Sequence, residues 1–459
     1  MYIGLALVLN IPYVQYQLTA FVSHELESLL GTRLSIGRID IGLLNRIVIN
    51  DLTLDDRSGK EMFKATRLSA KFDLIPLFKG KVSINNIQLF GFNVNLEKET
   101  PESAPNFQFL IDAFASKDTV PKQKHLDLRI NSLLIRRGKL SYHVLSEPET
   151  PGRFNAHHVN LRDFIANISM KALRNDSINA AVKRLSFKEQ SSSFRLDKLG
   201  LKVIGNDKGI QIAGLSLELP RSALHLDTIR MDYDSLAALK DFTHLVRFSG
   251  RLLPSTVTLG DLSAFVPAFS SFAEPLQLEA EADGTIDGLN CPRLAISAGE
   301  HFQLTGDVSF QDLSRPQDAY VFGNLSRLHA DPQGVAFFVR NFSPHYTGVP
   351  PILQRLGSIS FRGELSGYFT DLVTYGNIRT DLGTISTDIK VSTDNSKKKV
   401  SFSGSMKTRQ FRLGRLLANA KLGEITFNVG LHGSHYANSY PNITAKGLVS
   451  SIDYSGYTY

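Results

Sequence analysis

The chain has 459 residues, no tryptophan and a single cysteine, and its 51 Lys and Arg against 44 Asp and Glu leave a formal charge of +7. The lone thiol, Cys291, excludes an internal disulfide framework and any cysteine metal cluster. The basic residues are spread along the chain and not blocked together, which argues against nucleic acid as a partner and is compatible with a surface beside anionic lipid.

The first fourteen residues are predominantly apolar, from Met1-Tyr2-Ile3-Gly4-Leu5-Ala6-Leu7-Val8-Leu9 to Ile11, Tyr13 and Val14. As a helix this run covers roughly 20 Å, short of the ~30 Å hydrocarbon core of a bilayer. No Lys or Arg precedes Arg33, so the basic flank of a signal peptide or positive-inside anchor is missing. The stretch reads as the end of a membrane helix that starts upstream, with a buried soluble helix as the alternative. Pro12 breaks the run, after which Val14, Leu18, Phe21, Val22, Leu26, Leu29 and Leu30 recur at helical spacing and Gly31 supplies the stop. Residues 1–30 are therefore expected to be a membrane-proximal helix lying over the open end of a first sheet.

Residues 31–250 read as strands. Leu34 and Ile36 alternate and Ile39 and Ile41 resume after one slipped position. Ile47 and Ile49 are followed in the same way by Leu52 and Leu54; Val82 and Ile84 by Ile87 and Leu89, and then by Phe92, Val94 and Leu96. Strict alternation places one strand face on apolar material, and a slip reverses the faces unless a bulge or turn absorbs it. The pattern predicts a bent, one-sided antiparallel sheet. Turns are expected at residues 55–60 and 77–81, and a short helix at 106–116. Leu133 and Ile135 repeat the slipped alternation after Leu126, Leu128 and Ile130. Further polar turns fall at 175–177, 189–193 and 205–209.

Helical spacing returns at Leu236–Val246, and Pro254 suggests a pivot. Residues 251–459 then fall into similar modules. Short helical segments at 259–265, after Asp331-Pro332, and at 411–417 each precede strands bearing paired glycines, at intervals of about 70–80 residues. The last residues, Tyr454 to Tyr459, read as a strand in progress, so a further C-terminal part is expected.

Catalytic chemistry is not assembled. His24-Glu25-Leu26-Glu27-Ser28 opens like a zinc-protease helix but lacks the second histidine. His157 and His158 are adjacent in an expected strand and would point to opposite faces. Asp55-Asp56 and Gly59-Lys60 read as turn chemistry, and Lys397-Lys398-Lys399 as a solvated hairpin tip. No nucleophile, base and oxyanion site is recognisable, and no cofactor is expected.

Gly31-Thr32-Arg33-Leu34-Ser35-Ile36-Gly37-Arg38-Ile39 and Arg46-Ile47-Val48-Ile49-Asn50-Asp51-Leu52-Thr53-Leu54-Asp55-Asp56, with Asn106 to Phe114, resemble the opening of the AsmA-like family, most closely the large TamB-type proteins of Bacteroidota. The resemblance is strongest over residues 12–145. It implies an elongated, curved β-groove with an apolar interior, anchored in the inner membrane and reaching across the periplasm. It further implies a role in phospholipid movement to the outer membrane or in outer-membrane protein assembly, with a BamA-like partner bound through a C-terminal domain absent from this chain.

The residues themselves bear on one part of that expectation. Moving a lipid through water exposes its acyl chains at about 0.8 kcal/mol per CH₂, so roughly 12 kcal/mol for sixteen carbons. A continuous apolar trough offsets most of that. Its expected lining is Leu34, Ile36, Ile47, Ile49, Leu52, Leu54, Val82, Ile84, Ile87, Leu89, Leu133 and Ile135. The same side chains would equally serve a closed core. Three functions are thus in view: a phospholipid conduit, an assembly factor acting through free sheet edges, and an envelope spacer packed shut.

Overall fold

The computed structural model describes residues 11–42, 45–72, 83–114, 129–174, 177–315, 318–342, 348–394, 399–436 and 442–459. They are mainly β: twenty-two strands and a few short helices. Val82 and the expected turn at 77–81 lie outside the described residues, as does most of the apolar terminus. Among the described residues no helix is long and apolar enough to cross a membrane.

The chain divides into two compact units. The first takes the described residues up to Asn206, with Ile212–Arg221 and Asp261–Ser270; the second takes Asp207–Gln211, Ser222–Gly260 and Ser271–Tyr459.

The first unit begins with helix α1 (Pro12–Leu30), which Gly31 ends in the left-handed conformation (φ 65°) with its N–H on the Glu27 carbonyl. Strands β1 (Leu34–Gly42), β2 (Arg46–Asp55), β3 (Glu61–Phe72) and β4 (Ser83–Lys98) follow as an antiparallel ladder. The chain then passes through helix α2 (Gln108–Phe114) to β5 (Arg129–Val144). Here the expectation of a purely antiparallel sheet is corrected, because β4 and β5 pair parallel, Ile87 opposite Leu133 and Leu89 opposite Ile135. A parallel neighbour needs a crossover, and α2 lies in that connection. Antiparallel pairing resumes through β6 (His158–Arg174), β7 (Ser177–Glu189) and β8 (Arg195–Asn206). The following strand is β9 (Gly209–Glu218), whose Glu218 pairs with Lys198 of β8 at 2.7 Å.

Several of the slips, though not those at Ile36–Ile39 and Ile84–Ile87, share a physical form. Asp51, Gly91, Arg137 and Asp163 each sit within a strand at positive φ (51°, 63°, 54° and 54°). One left-handed residue reverses the pleat locally, so Ile49 and Leu52, or Leu89 and Phe92, share a face three positions apart. Thr66 stands opposite Gly91, its hydroxyl donating to the Gly91 carbonyl at 3.1 Å. Arg137 lies on the neighbouring strand at the same level, between the Phe90–Arg136 and Asn93–Lys139 pairs. The slips therefore align as a transverse crease.

The second unit holds β10 (Ala223–Asp232), a 3₁₀ turn at Leu236–Asp241, helix α3 (Phe242–Leu245) and β11 (Arg247–Val257). Pro254 does not act as a pivot. It lies inside β11 at a bulge between Leu252 and Ser255, where its missing N–H removes no ladder bond. The helical segment expected at 259–265 is a single 3₁₀ turn, Leu259–Leu262. Four antiparallel strands come next: β12 (Leu276–Thr285), β13 (Gly288–Ala298), β14 (Phe302–Gln311) and β15 (Tyr320–Ala330). Helix α4 (Pro332–Phe342) starts at Asp331, whose carboxylate accepts the N–H groups of Gln333 and Gly334 at 2.8 and 2.9 Å. After helix α5 (Pro351–Leu356) come four more: β16 (Ile359–Tyr368), β17 (Asp371–Thr380), β18 (Gly383–Thr393) and β19 (Lys399–Phe411). Helix α6 (Leu413–Leu417) leads to β20 (Leu422–Tyr436), β21 (Asn442–Tyr454) and β22 (Tyr457–Thr458). The module of this unit is four strands closed by a short helical connection.

Candidate functional site

Cross-strand register in the first unit lines aliphatic residues into rows. One runs Ile41, Ile47, Ala70, Ile87, Leu133, Ile168, Val182 and Leu201 from β1 to β8. Beside it run Ile39, Ile49, Leu68, Leu89, Ile135, Ala166, Leu185 and Leu199. Neither row contains a polar or charged side chain. At ~4.8 Å per strand each spans roughly 34 Å. The reverse face differs: Asn50, Arg67, Phe90 and Arg136 form one row, and Gln88, Leu134, Asn167 and Arg184 another. There the Arg137 guanidinium lies 5.1 Å from the centre of the Phe90 ring.

The rows are not covered alike. Over β1–β3 the face is closed by helices: Leu30, Leu34, Ile36, Ile39, Leu54, Met62 and Phe109 form a buried cluster, with Leu18, Val22 and Leu26 of α1 and Leu110 and Ala113 of α2 packed on it. Ile47, Ile49 and Leu52 pack at its margin. From β4 onward Ile87, Leu89, Leu133, Ile135, Ile168, Val182, Leu185, Leu199 and Leu201 are only half-buried. The predicted lining residues thus separate into two groups. Leu34, Ile36, Ile47, Ile49, Leu52 and Leu54 belong to the helix-covered cluster, while Ile87, Leu89, Leu133 and Ile135 lie on the half-buried rows. Ile84 stands in register between Phe72 and Ile130.

Phenylalanines extend the apolar surface beyond what the alternation revealed. Phe92, Phe164, Phe187, Phe194, Phe265 and Phe154 follow one another at centroid distances of 6.1, 6.4, 6.2, 5.0 and 5.0 Å. The Phe92 ring lies directly over Gly138 of β5, where a Cβ would stand 1.9 Å from the ring. The aromatic covers the gap the glycine leaves, and the glycine gives the aromatic its place. Adjacency in sequence could not expose this chain, because its members come from separate strands and loops.

Helix α1 also covers the outer edge of β1. The Ile39 N–H donates to Thr19 Oγ1 at 3.1 Å and the Leu34 N–H to Glu27 Oε1 at 3.0 Å. These edge donors are therefore satisfied by side chains and not offered to another strand. The helix faces inward with Leu18, Val22, Leu26 and Leu30, but Phe21 and Leu29, expected on the same apolar side, are exposed at 63% and 55%.

Two buried carboxylates hold turns. Burial alone would raise the pKa of Glu189, but the Ser192 hydroxyl and the N–H groups of Ser192, Asn160 and Ser191 donate to it and keep it below the ordinary range. Asp56 behaves likewise: burial opposes ionisation, and hydrogen bonds from Ser58, Lys60 and Asn106 outweigh it. Asp56 is turn chemistry, as its neighbours Ser58 and Gly59 suggested.

In the second unit a comparable row runs Leu278, Ile296, Leu304, Leu328, Phe361, Ile378 and Ile385 across β12 to β18. Short helices border it here too: Leu356, Leu413 and Leu416 pack on Leu382, Ile385, Phe411 and Ile425. At the α4 side the Phe302 and Phe338 rings meet edge to face at 4.4 Å. No family model, curated protein or solved structure matches the chain.

Proposed function

We propose that this protein is an AsmA/TamB-type phospholipid conduit of the bacterial envelope, in which acyl chains slide along an apolar groove while head groups stay in water. The observation that carries this reading is the pair of uninterrupted aliphatic rows across β1–β8, half-buried from β4 onward at every position but Ala166. Half a bilayer's hydrocarbon is about 15 Å thick, so a ~34 Å row accommodates an acyl chain at full length. Transfer from water to such a surface offsets up to about 0.8 kcal/mol per CH₂. In this reading the chain is held at the inner membrane by its N-terminal segment, the body lies in the periplasm, and a BamA-like outer-membrane protein is the partner at the far end. The capped edge of β1 weighs against the alternative, an assembly factor that pairs nascent strands at that edge.

Photo-crosslinking in native membranes tests the proposal. Benzophenone at Leu133, Ile168 and Leu199 is expected to give phospholipid adducts, and at Arg136 and Arg184 of the reverse face none. Adducts only to neighbouring strands at all three apolar positions would mean a closed surface and end the conduit reading. Adducts to unfolded outer-membrane protein in place of lipid would establish the assembly role.

A further inference from the structure

Outside the apolar face, three potential metal ligands of the first unit converge where the β5–β6 hairpin closes. His143 and His158 are cross-strand partners, and their Nδ1 atoms stand 3.0 Å apart. Glu149, in the loop between the two strands, brings its carboxylate to them, so that the three ligand atoms lie within 4.8 Å of one another. His157 belongs to the turn and is exposed, whereas His158 is buried. The Nε2 of His158 lies 2.7 Å from the backbone carbonyl of Glu147. A carbonyl only accepts, so Nε2 carries the proton of the neutral ring and Nδ1 is left as a lone pair aimed at His143. A backbone carbonyl that fixes the ring orientation and tautomer in this way is the usual outer support of a ligating histidine.

We propose that His143, His158 and Glu149 bind one divalent first-row transition ion of the Zn²⁺ type, which clasps the 145–157 loop to the strand ends. Two imidazole nitrogens and one carboxylate oxygen are a donor set for such ions, whereas Mg²⁺ and Ca²⁺ favour all-oxygen sites. Ligand atoms about 2.0–2.2 Å from a tetrahedral ion lie roughly 3.3–3.5 Å from one another, so the 3.0 Å pair needs to open only slightly and the carboxylate to close in. Binding at His143 Nδ1 moves the proton that this atom otherwise donates to His158 onto the Nε2 of the same ring by exchange with solvent, so the ring stays neutral. The same loop carries Phe154, whose N–H donates to the Ala264 carbonyl at 2.9 Å and whose ring meets Phe265 at 5.0 Å. The ion would thereby fix the outer end of the phenylalanine chain. This inference does not depend on the lipid reading.

The test is calorimetric titration of the full chain, stripped with chelator, with Zn²⁺ and separately with Mg²⁺, together with the visible spectrum of the Co²⁺ form. The expected result is one Zn²⁺ per chain, no heat with Mg²⁺, and a Co²⁺ spectrum of low coordination number. His143→Gln should abolish both signals, Glu149→Ala should weaken binding by about tenfold or more, and His157→Gln should change neither. His158→Gln risks the buried end of β6, so the decision rests on His143→Gln and Glu149→Ala, each checked for an unchanged far-ultraviolet dichroism spectrum. Absence of stoichiometric Zn²⁺, equal binding of Mg²⁺, or undiminished binding in His143→Gln would overturn the proposal.

Discussion

The first three strands and the five that follow in the first unit carry the same aliphatic rows, yet they use them differently. In β1–β3 the rows border a core: Ile39 is 4% exposed, half-buried Ile47 and Ile49 pack against the buried cluster beneath α1 and α2, and Leu54 beside them is 7% exposed. In β4–β8 the residues of the same rows are half-buried except Ala166, at 1%. The strands do not decide this. Strand chemistry is alike on both sides, and the difference, among the described residues, is whether a helix lies across the face. A one-sided sheet becomes a core where a second layer is supplied, and elsewhere retains an apolar surface.

The contrast is broken most directly by truncating one residue on each side. Ile39→Ala should cost about 2–5 kcal/mol, as for a buried large-to-small change, and Leu133→Ala only about 1 kcal/mol. Amide hydrogen exchange resolved by strand would show it, and equal losses in both regions would erase the distinction. Next in size is Glu189→Gln. Whichever oxygen becomes NH₂ is set against N–H donors, those of Asn160 and Ser191 at the Oε1 position or that of Ser192 at the Oε2 position, a loss of about 1–3 kcal/mol. Because folding lowers the pKa of Glu189, its contribution is fully present above the ordinary value of 4.5 and disappears as pH falls through the lower folded value. Acid titration of the wild type should therefore loosen the β6–β8 turns, and the variant should lack that part of the transition. If β1–β3 exchange rises together with β6–β8, the two regions open as one.

Gly91→Ala is expected to cost about 1–2 kcal/mol, since φ there is 63° and the new Cβ would stand 2.7 Å from Thr66 Oγ1. The crease crosses both regions, so exchange should rise on either side of β4; a loss confined to one side would show that the crease does not couple them. The smallest effect, about 1 kcal/mol, is expected for Thr19→Val, which leaves the Ile39 N–H without its acceptor. It should loosen α1 over β1 and leave β4–β8 unchanged.

Much of this arrangement is legible in the residues. The spacing of Leu34, Ile36, Ile39 and Ile41 and its repeats specify strands and their slips, Gly31 and Asp331 mark helix ends, and Ser58-Gly59 marks a turn. Other features depend on register and cannot be read along the chain. Alternation is identical in parallel and antiparallel strands, so Leu133 and Ile135 gave no sign that β5 runs parallel to β4. The crease residues include Arg137, and nothing in its chemistry singles it out for the left-handed region. Phe21 and Leu29 satisfy helical spacing and still face outward, because the covered stripe of α1 is only as wide as the strands beneath it. His143, Glu149 and His158 meet solely through the β5–β6 register, so the adjacent pair His157-His158 was the only visible signal.

The parallel β4–β5 pair has a consequence for how the chain acquires its structure. The antiparallel ladders described from β10 to β22 join sequence neighbours, so each strand can add to the last as soon as it is available. Lys98 and Val144, by contrast, pair across a long stretch of chain, and Ile87 must find Leu133. Closing that loop is an entropic cost met before any contact rewards it. Folding should thus proceed as quick local zippering on either side of one slow junction, and a chain emerging from the ribosome would hold β1–β4 as a waiting hairpin stack until β5 arrives to join it.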